Sequence, residues 1–123
     1  MRILFALLLG LATSAQAALT VDGYRAMQEA HGADNQTIDL QVRMYLDGLL
    51  DGLVMATSTL PDEKRSWCIP DNQPLTDELA YELFQQELRL RGKEYAEFSE
   101  LGIDVPFSLV MVDALERRFP CRD

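Results

Sequence analysis

The feature that most constrains this chain is the position of its two cysteines: Cys68 lies in the interior of the sequence, and Cys121 is the third residue from the end. Chain ends usually fray, so a cysteine there indicates that this end is tied down. A Cys68–Cys121 bridge would close a loop of about fifty residues, which the chain-entropy model values at roughly 4 kcal/mol. That is a large share of the ~5–15 kcal/mol that stabilises a small domain. The alternative is two separate thiols that serve chemistry or bind a metal.

The first seventeen residues predict an export signal, which favours the disulfide over two separate thiols. Arg2 supplies a positive charge, residues 3–12 are an unbroken apolar run, and Ala15 and Ala17 occupy the small positions of a cleavage site. Ten apolar residues are too few to span a bilayer. We therefore expect removal of residues 1–17 and one mature domain over 18–123, located in the periplasm, with secretion from the cell as the alternative. In an oxidising compartment two thiols are expected to pair.

The net charge of the chain limits the classes of partner that it is expected to bind. Twenty acidic residues against eleven basic ones give a net charge of −9, and loss of Arg2 with the signal would leave −10. Phosphates repel such a surface, so the composition argues against nucleic acid and, after signal cleavage, against membranes. A protein partner, if there is one, is expected to be basic.

Helical periodicity dominates the mature chain and predicts an all-α fold. We expect a first helix over about 20–30 with Thr20 as its N-cap, and a second over about 37–58. A third begins after Thr76 and ends at Gly92, and a last one runs from Pro106 to Pro120. Few segments alternate with a period of two. The predicted architecture is a compact bundle of four to five helices cross-linked by one disulfide.

The second helix combines a clear apolar face with two glycines. Gly48 and Gly52 lie one turn apart and together cost about 2 kcal/mol in helix propensity. Close approach of a neighbouring backbone would offset that cost, so we expect one there. Met44 and Met55 fall at core or near-core positions of the pattern and are interpreted as packing residues. The apolar face itself consists of Ile38, Val42, Tyr45, Leu46, Leu49, Leu50 and Leu53.

Residues suited to catalysis or metal binding are few. His31 is the single histidine, and no nucleophile motif accompanies it. Zinc would need His31, both cysteines and a carboxylate to converge without the usual paired spacing. Asp47 and Asp51 form a carboxylate pair one turn apart, which also occurs on ordinary solvated helices. We therefore predict no enzyme activity, no cofactor and no metal.

The order of several motifs resembles a known family. A helix with Tyr45, Gly48 and Gly52 is followed by Trp67-Cys68-Ile69-Pro70, another helix, and a final Ala114-Leu115 with Phe119-Pro120-Cys121. This arrangement, over roughly residues 38–121, resembles the Rap/Tai family of type VI secretion immunity proteins. Where members of that family often carry a short His-Pro linker, this chain has the longer, acidic segment 89–104.

The resemblance implies a periplasmic protein that binds and occludes an effector toxin, typically a peptidoglycan amidase. Such inhibitors often act as dimers, which leaves a homodimer open beside a monomer. A different class stays open as well: a periplasmic stress or chaperone-like binding protein without a toxin partner.

Two acidic segments are the candidate contact sites for a partner. We expect residues 93–104 to form a protruding loop, or a loop with one helical turn, that mixes aromatic side chains with charge. Its predicted contact residues are Glu94, Tyr95, Glu97, Phe98 and Glu100. The turn at Asp62 and Glu63 is the second candidate. Both segments would otherwise be ordinary solvated loops.

Overall fold

The computed structural model describes residues 19–32 and 36–122, and within them the fold is all-α, as predicted. The helices are α1 (Val21–His31), α2 (Gln36–Ser58), α3 (Asp77–Glu100) and α4 (Phe107–Arg118), with a short 3₁₀ turn at Asp62–Lys64. The described residues form no strand, only an isolated bridge between Thr20 and Pro106. The predicted export signal lies outside the described residues.

Helices α1 and α3 begin where their predicted capping residues place them. The Thr20 hydroxyl accepts a hydrogen bond from the Gly23 amide at 3.0 Å, and the Thr76 hydroxyl accepts one from the Leu79 amide at 3.1 Å. Each satisfies a backbone donor that has no partner inside its own helix. Gly32 ends α1 with a φ of 54°, a conformation that glycine adopts without steric cost.

The core lies between α2, α3 and α4, with α1 packed against it. The predicted apolar face of α2 is confirmed, because Ile38, Val42, Leu46 and Leu50 are buried and the other three residues of the face pack against them. Helix α4 buries five apolar side chains: Phe107, Val110, Met111, Ala114 and Leu115. At the centre of the core the Phe84 and Phe107 rings lie 4.3 Å apart between centroids. Two tyrosine rings contact Phe107 edge-on, those of Tyr24 and Tyr45.

The prediction that α3 ends at Gly92 is wrong. The helix runs through Gly92 to Glu100, so residues 93–100 form its last two turns and the predicted protruding loop shrinks to a short turn. A single glycine inside a helix costs only about 1 kcal/mol relative to alanine. The stabilisation from tertiary contacts offsets that cost. Tyr95 is buried in the core, and the Arg25 side chain of α1 donates to the Gly92 carbonyl at 3.4 Å.

The predicted disulfide between Cys68 and Cys121 is present, with a Cα–Cα distance of 4.9 Å. It fixes the segment after α4 against the segment between α2 and α3. The Cys68 amide also donates to the Phe119 carbonyl at 2.8 Å, so a backbone hydrogen bond lies beside the covalent link. Trp67 is buried in the core cluster and is therefore not a surface contact residue.

A buried carboxylate joins α3 to α4. Glu87 is 1% exposed, and the Arg117 guanidinium donates to its two oxygens at 3.0 and 3.2 Å. This two-point contact raises the pKa of Arg117, so the guanidinium stays charged opposite Glu87. Burial of a charge is costly without a partner of this kind.

Two expectations for α2 are wrong. A Cβ added at Gly48 or Gly52 would meet no atom of the described residues within 4 Å, so no backbone in residues 19–32 and 36–122 approaches them closely. Met44 and Met55, interpreted as packing residues, are 68% and 69% exposed. The reason is geometric: they lie on the side of α2 opposite Val42, Leu46 and Leu50, and no other helix in the described part of the chain covers them.

Candidate functional site

The end of α3 and the turn after it carry an unusual set of exposed apolar side chains. Phe98, Leu101 and Ile103 are 36%, 75% and 50% exposed within six residues of one another. Exposed carboxylates surround them. We call this set the tip surface, and its members are Glu97, Phe98, Glu100, Leu101, Ile103 and Asp104.

Backbone hydrogen bonds shape the tip surface. The Leu101 amide donates to the Glu97 and Phe98 carbonyls at 3.2 and 3.1 Å, and the Ile103 amide donates to the Phe98 carbonyl at 2.9 Å. Between them Gly102 has a φ of 79°, the left-handed conformation in which a helix commonly ends. The turn reverses the chain and leaves Leu101 and Ile103 on the outside.

The chain entering α1 holds this turn from the other side. The Val21 amide donates to the Val105 carbonyl and the Phe107 amide donates to the Leu19 carbonyl, both at 2.9 Å. In addition, the Ser99 hydroxyl donates to Asp22 at 2.9 Å. A surface fixed in this way loses little conformational entropy when a partner binds.

Tyr95, one of the predicted contact residues, lies beneath the tip surface and not on it. It is 1% exposed, so its side chain cannot contact a partner in this structure. Its hydroxyl is buried and has no hydrogen-bond partner among the residues that the structure describes, and burial raises the pKa of Tyr95 to about 12. Arg91 lies over its ring, 5.3 Å from the centroid. Tyr95 thus supports the last turns of α3 from inside the core.

The predicted acidic residues of this segment differ in their surroundings. Glu94 is exposed but pairs with Arg91 at 2.6 Å, and Arg91 also pairs with Asp113 of α4. Those contacts raise the pKa of Arg91 and neutralise much of the charge of Glu94. Among the described residues, Glu97 and Glu100 form no ion pair. Their charges are therefore available to a basic partner.

The second predicted segment lies elsewhere. Asp62 and Glu63 occupy the exposed 3₁₀ turn, where Asp62 is 3.4 Å from the Arg65 guanidinium. They line a shallow groove of about 570 Å³ together with Asp71 and the disulfide. We call this the disulfide groove. It is acidic, but Arg65 and Arg122 lie in it too, so its charge is mixed.

The structure does not bring the two predicted segments together. The tip surface precedes α4 and the disulfide groove adjoins the residues that follow it, so the twelve residues of α4 separate them. At 1.5 Å per residue this helix measures about 18 Å. The two segments are therefore alternative contact sites, or sites for different partners, and not halves of one site.

The residues considered for chemistry are scattered. His31 is exposed at the end of α1, and Asp47 and Asp51 lie on α2. Within residues 19–32 and 36–122 no group of three or more His, Cys, Asp or Glu could hold a metal ion. None of the helices described is both long enough and apolar enough to cross a membrane.

Comparison with known proteins gives no family assignment. No family model, curated protein or solved structure matches this chain. The resemblance of its motifs to the immunity proteins is therefore carried by those motifs alone.

Leu101 and Ile103 were not among the sequence-predicted contact residues, although they are the most exposed apolar side chains of the tip surface. The sequence holds one signal that could have found them: apolar and acidic residues alternate around Gly102. That signal identifies a surface only when the helix end is known, because the same residues inside a longer helix or a loop could pack inward.

Proposed function

We propose that this chain is a periplasmic immunity-type protein that binds a toxin through its tip surface and blocks the toxin's cleft. The toxin class that the motif resemblance suggests is a peptidoglycan amidase. In this proposal the protein has no catalytic role, and export of the kind that residues 1–17 predict would bring it to the compartment where such a toxin would act.

The observation that carries the proposal is the composition and rigidity of the tip surface. Exposed apolar side chains surrounded by charge are typical of the centre and rim of a protein interface. Here Leu101 and Ile103 form the centre, and the carboxylates of Glu97, Glu100 and Asp104 form the rim. The backbone bonds that hold the turn keep these groups in place before binding.

The negative charge of the chain and of its tip surface favours a partner with a basic surface. The chain carries a net charge of −9, and the rim carboxylates of the tip surface add a local negative potential where contact would occur. Attraction of this kind accelerates association and fades as salt rises. A cleft with basic side chains around an apolar centre would complement the surface.

The test is a binding titration between the mature, oxidised protein and a secreted amidase encoded beside its gene. We expect Leu101→Ala/Ile103→Ala to weaken binding by at least about a hundredfold, as removal of central interface residues commonly does. Both residues are exposed, so helix content measured by circular dichroism should stay unchanged. Inhibition of peptidoglycan hydrolysis should fall in parallel.

The matched control is Asp62→Ala/Glu63→Ala, which removes two exposed side chains from the disulfide groove. It should change affinity by less than about threefold, as mutations outside an interface core do. If this control abolishes binding and the tip variant does not, the disulfide groove is the contact site. If the wild-type protein does not bind the neighbouring amidase, the toxin proposal is wrong.

A further inference from the structure

We infer that the disulfide groove is a binding site for a short peptide that has a free amino group at one end and a free carboxylate at the other. The inference goes beyond toxin binding and does not depend on it. Two segments of the chain form the groove: the connection between α2 and α3, residues 59–76, and the tail that follows α4.

The first observation is the length of the connection between α2 and α3. It comprises residues 59–76, whereas α3 and α4 are joined by residues 101–106 alone. Connections between the helices of a bundle usually have about two to eight residues, and much longer ones are commonly functional. A role beyond joining two helices would explain this length.

The connection is nevertheless held in a fixed shape. The Arg65 guanidinium donates to the Leu60 and Ser58 carbonyls at 3.0 and 3.3 Å, so it satisfies acceptors at the end of α2. Further along, the disulfide joins Cys68 to Cys121 of the tail. The groove therefore exists before a ligand arrives, and binding loses little conformational entropy.

The second observation is that the groove carries charges of both signs. Asp62, Glu63 and Asp71 lie on the connection, and Arg122 lies on the tail. Among the described residues neither Arg122 nor Glu63 nor Asp71 forms an ion pair. Asp62 is 3.4 Å from Arg65, but its side chain is 90% exposed. These charges are available to opposite charges on a ligand.

The groove also has an apolar part. Ile69 and the two cysteines line it, and all three are half-buried. The enclosed volume of about 570 Å³ lies within the range of roughly 300–1,000 Å³ that is usual for sites that bind small ligands. An apolar surface with a few polar groups around it is the usual composition of such sites.

A ligand with charges of both signs fits this groove better than a simple ion does. An anion attracted by Arg122 would also meet three carboxylates, and a cation attracted by the carboxylates would meet Arg122. In a short peptide the amino terminus pairs with the carboxylates, and the terminal carboxylate accepts two hydrogen bonds from Arg122. A small side chain of the peptide then packs on Ile69.

Two sources share this ligand chemistry. The peptides of the cell wall carry free amino and carboxylate groups, and so do free oligopeptides. Exposed ion pairs are weak and are screened by salt. We therefore expect a dissociation constant of about 0.1–1 mM at low ionic strength.

The experiment is an NMR titration of the mature, oxidised protein with trialanine, which has both terminal charges. The amides of Asp71 and Arg122 should shift, with a dissociation constant of about 0.1–1 mM. N-acetyl-trialanine and trialanine amide each lack one charge, and each should bind at least about threefold more weakly.

A second peptide distinguishes the two sources. The stem tripeptide of peptidoglycan carries an additional amino group and additional carboxylates. If it binds more tightly than trialanine, the ligand belongs to the cell wall; if it binds equally or less tightly, the ligand is a free oligopeptide. Either result supports the inference, because both peptides use the same two contacts.

Variants assign each terminal charge to its partner. Arg122→Gln should remove the preference for trialanine over its amide, and Asp62→Asn/Glu63→Gln should reduce the preference for trialanine over its acetylated form. The side chains are exposed, so circular dichroism should show unchanged helix content. The matched control is Leu101→Ala/Ile103→Ala, which alters the tip surface and should leave peptide binding within about twofold.

Three results would overturn the inference. They are no saturable shift up to about 10 mM trialanine, equal binding of the charged peptide and both blocked forms, and an unchanged preference in the Arg122→Gln variant. None of them affects toxin binding, which the tip variant weakens and changes at Asp62 and Glu63 leave intact. The two proposals therefore fail separately.

Discussion

The two ends of α4 are fixed by different means. After its last residue the chain is held by the Cys68–Cys121 disulfide and by one backbone hydrogen bond to Phe119. Before its first residue the chain is held by two backbone hydrogen bonds to the segment entering α1. The link at one end is covalent and forms only under oxidising conditions. The hydrogen bonds at the other end depend on the packing of the whole fold.

The difference separates two roles: one end of α4 stabilises the fold, and the other end presents a surface to a partner. The covalent end stabilises the fold by limiting the unfolded chain, and its bridge does not need a large core around it. The hydrogen-bonded end presents exposed apolar side chains at the tip surface, which need a fixed backbone but no covalent link. We therefore expect that changes at the two ends differ in size and in how far their effects spread.

The largest effect should come from removal of the disulfide. Replacement of both Cys68 and Cys121 by serine should lower the free energy of unfolding by about 4 kcal/mol. The two cysteines are 53 residues apart, and without the bridge the unfolded chain regains the conformational entropy that this closed loop removes. Urea denaturation of the variant and of the oxidised wild type measures this difference.

Hydrogen exchange in the same variant sharpens the comparison. The Cys68 amide, beside the lost bridge, should exchange faster than in the wild type, while the Val21 and Phe107 amides at the other end of α4 stay protected. Equal acceleration at both ends would show that the two ends open as one cooperative unit.

A smaller effect should follow from alkaline pH at the tip end. The pKa of Tyr95 is raised to about 12 in the fold, against about 10 in the unfolded chain. Between these values the unfolded chain loses the tyrosine proton and the folded chain keeps it, so stability is intact below pH 10 and falls as pH rises to 12. The loss should reach about 2 kcal/mol.

Tyr95→Phe tests that assignment. The variant has no proton to lose, so thermal unfolding between pH 10 and 12 should show a shallower decline than in the wild type. At pH 7 the variant should be as stable as the wild type or more so, because no group in the described part of the chain forms a hydrogen bond with the Tyr95 hydroxyl. An unchanged alkaline decline would mean that other groups cause it.

The smallest effects, of opposite sign, should come from two glycines on either side of Tyr95. Gly92→Ala should stabilise the protein by up to about 1 kcal/mol, since Gly92 is helical and the new Cβ would lie at an ordinary 4.0 Å from Arg25. Gly102→Ala should destabilise it by about 1 kcal/mol, because alanine is strained at a φ of 79°. Thermal unfolding of both variants serves as a matched pair, and the same sign for both would contradict the assigned helix end.

Much of the fold could be predicted because it depends on interactions between residues that are close in sequence. Thr20 and Thr76 can each accept a bond from an amide a turn later, and the spacing of Ile38, Val42 and Leu46 places them on one helix face. The disulfide followed from the number of cysteines and from the predicted export. These inferences need only the chemistry of neighbours along the chain.

The errors arose where distant contacts decide. Gly92 resembles a helix end, yet α3 continues for two more turns. The hydrogen bond from Arg25 and the burial of Tyr95 stabilise this extension. Met44 and Met55 resemble core residues, yet nothing in the described chain covers them. Burial of Glu87 could not be predicted either, because its partner Arg117 lies thirty residues away in sequence.

The sequence by itself determined the helical class, the starts of the helices, the acidic charge and the pair of cysteines available to cross-link the chain. These follow from periodicity, capping and counting, which act over a few residues. Only the tertiary structure decided which residues are available to a partner: it placed Tyr95 in the core, exposed Leu101 and Ile103 at the tip surface, and left one side of α2 uncovered. Exposure is a property of the whole packed molecule, because a side chain is buried only when elements remote in sequence cover it.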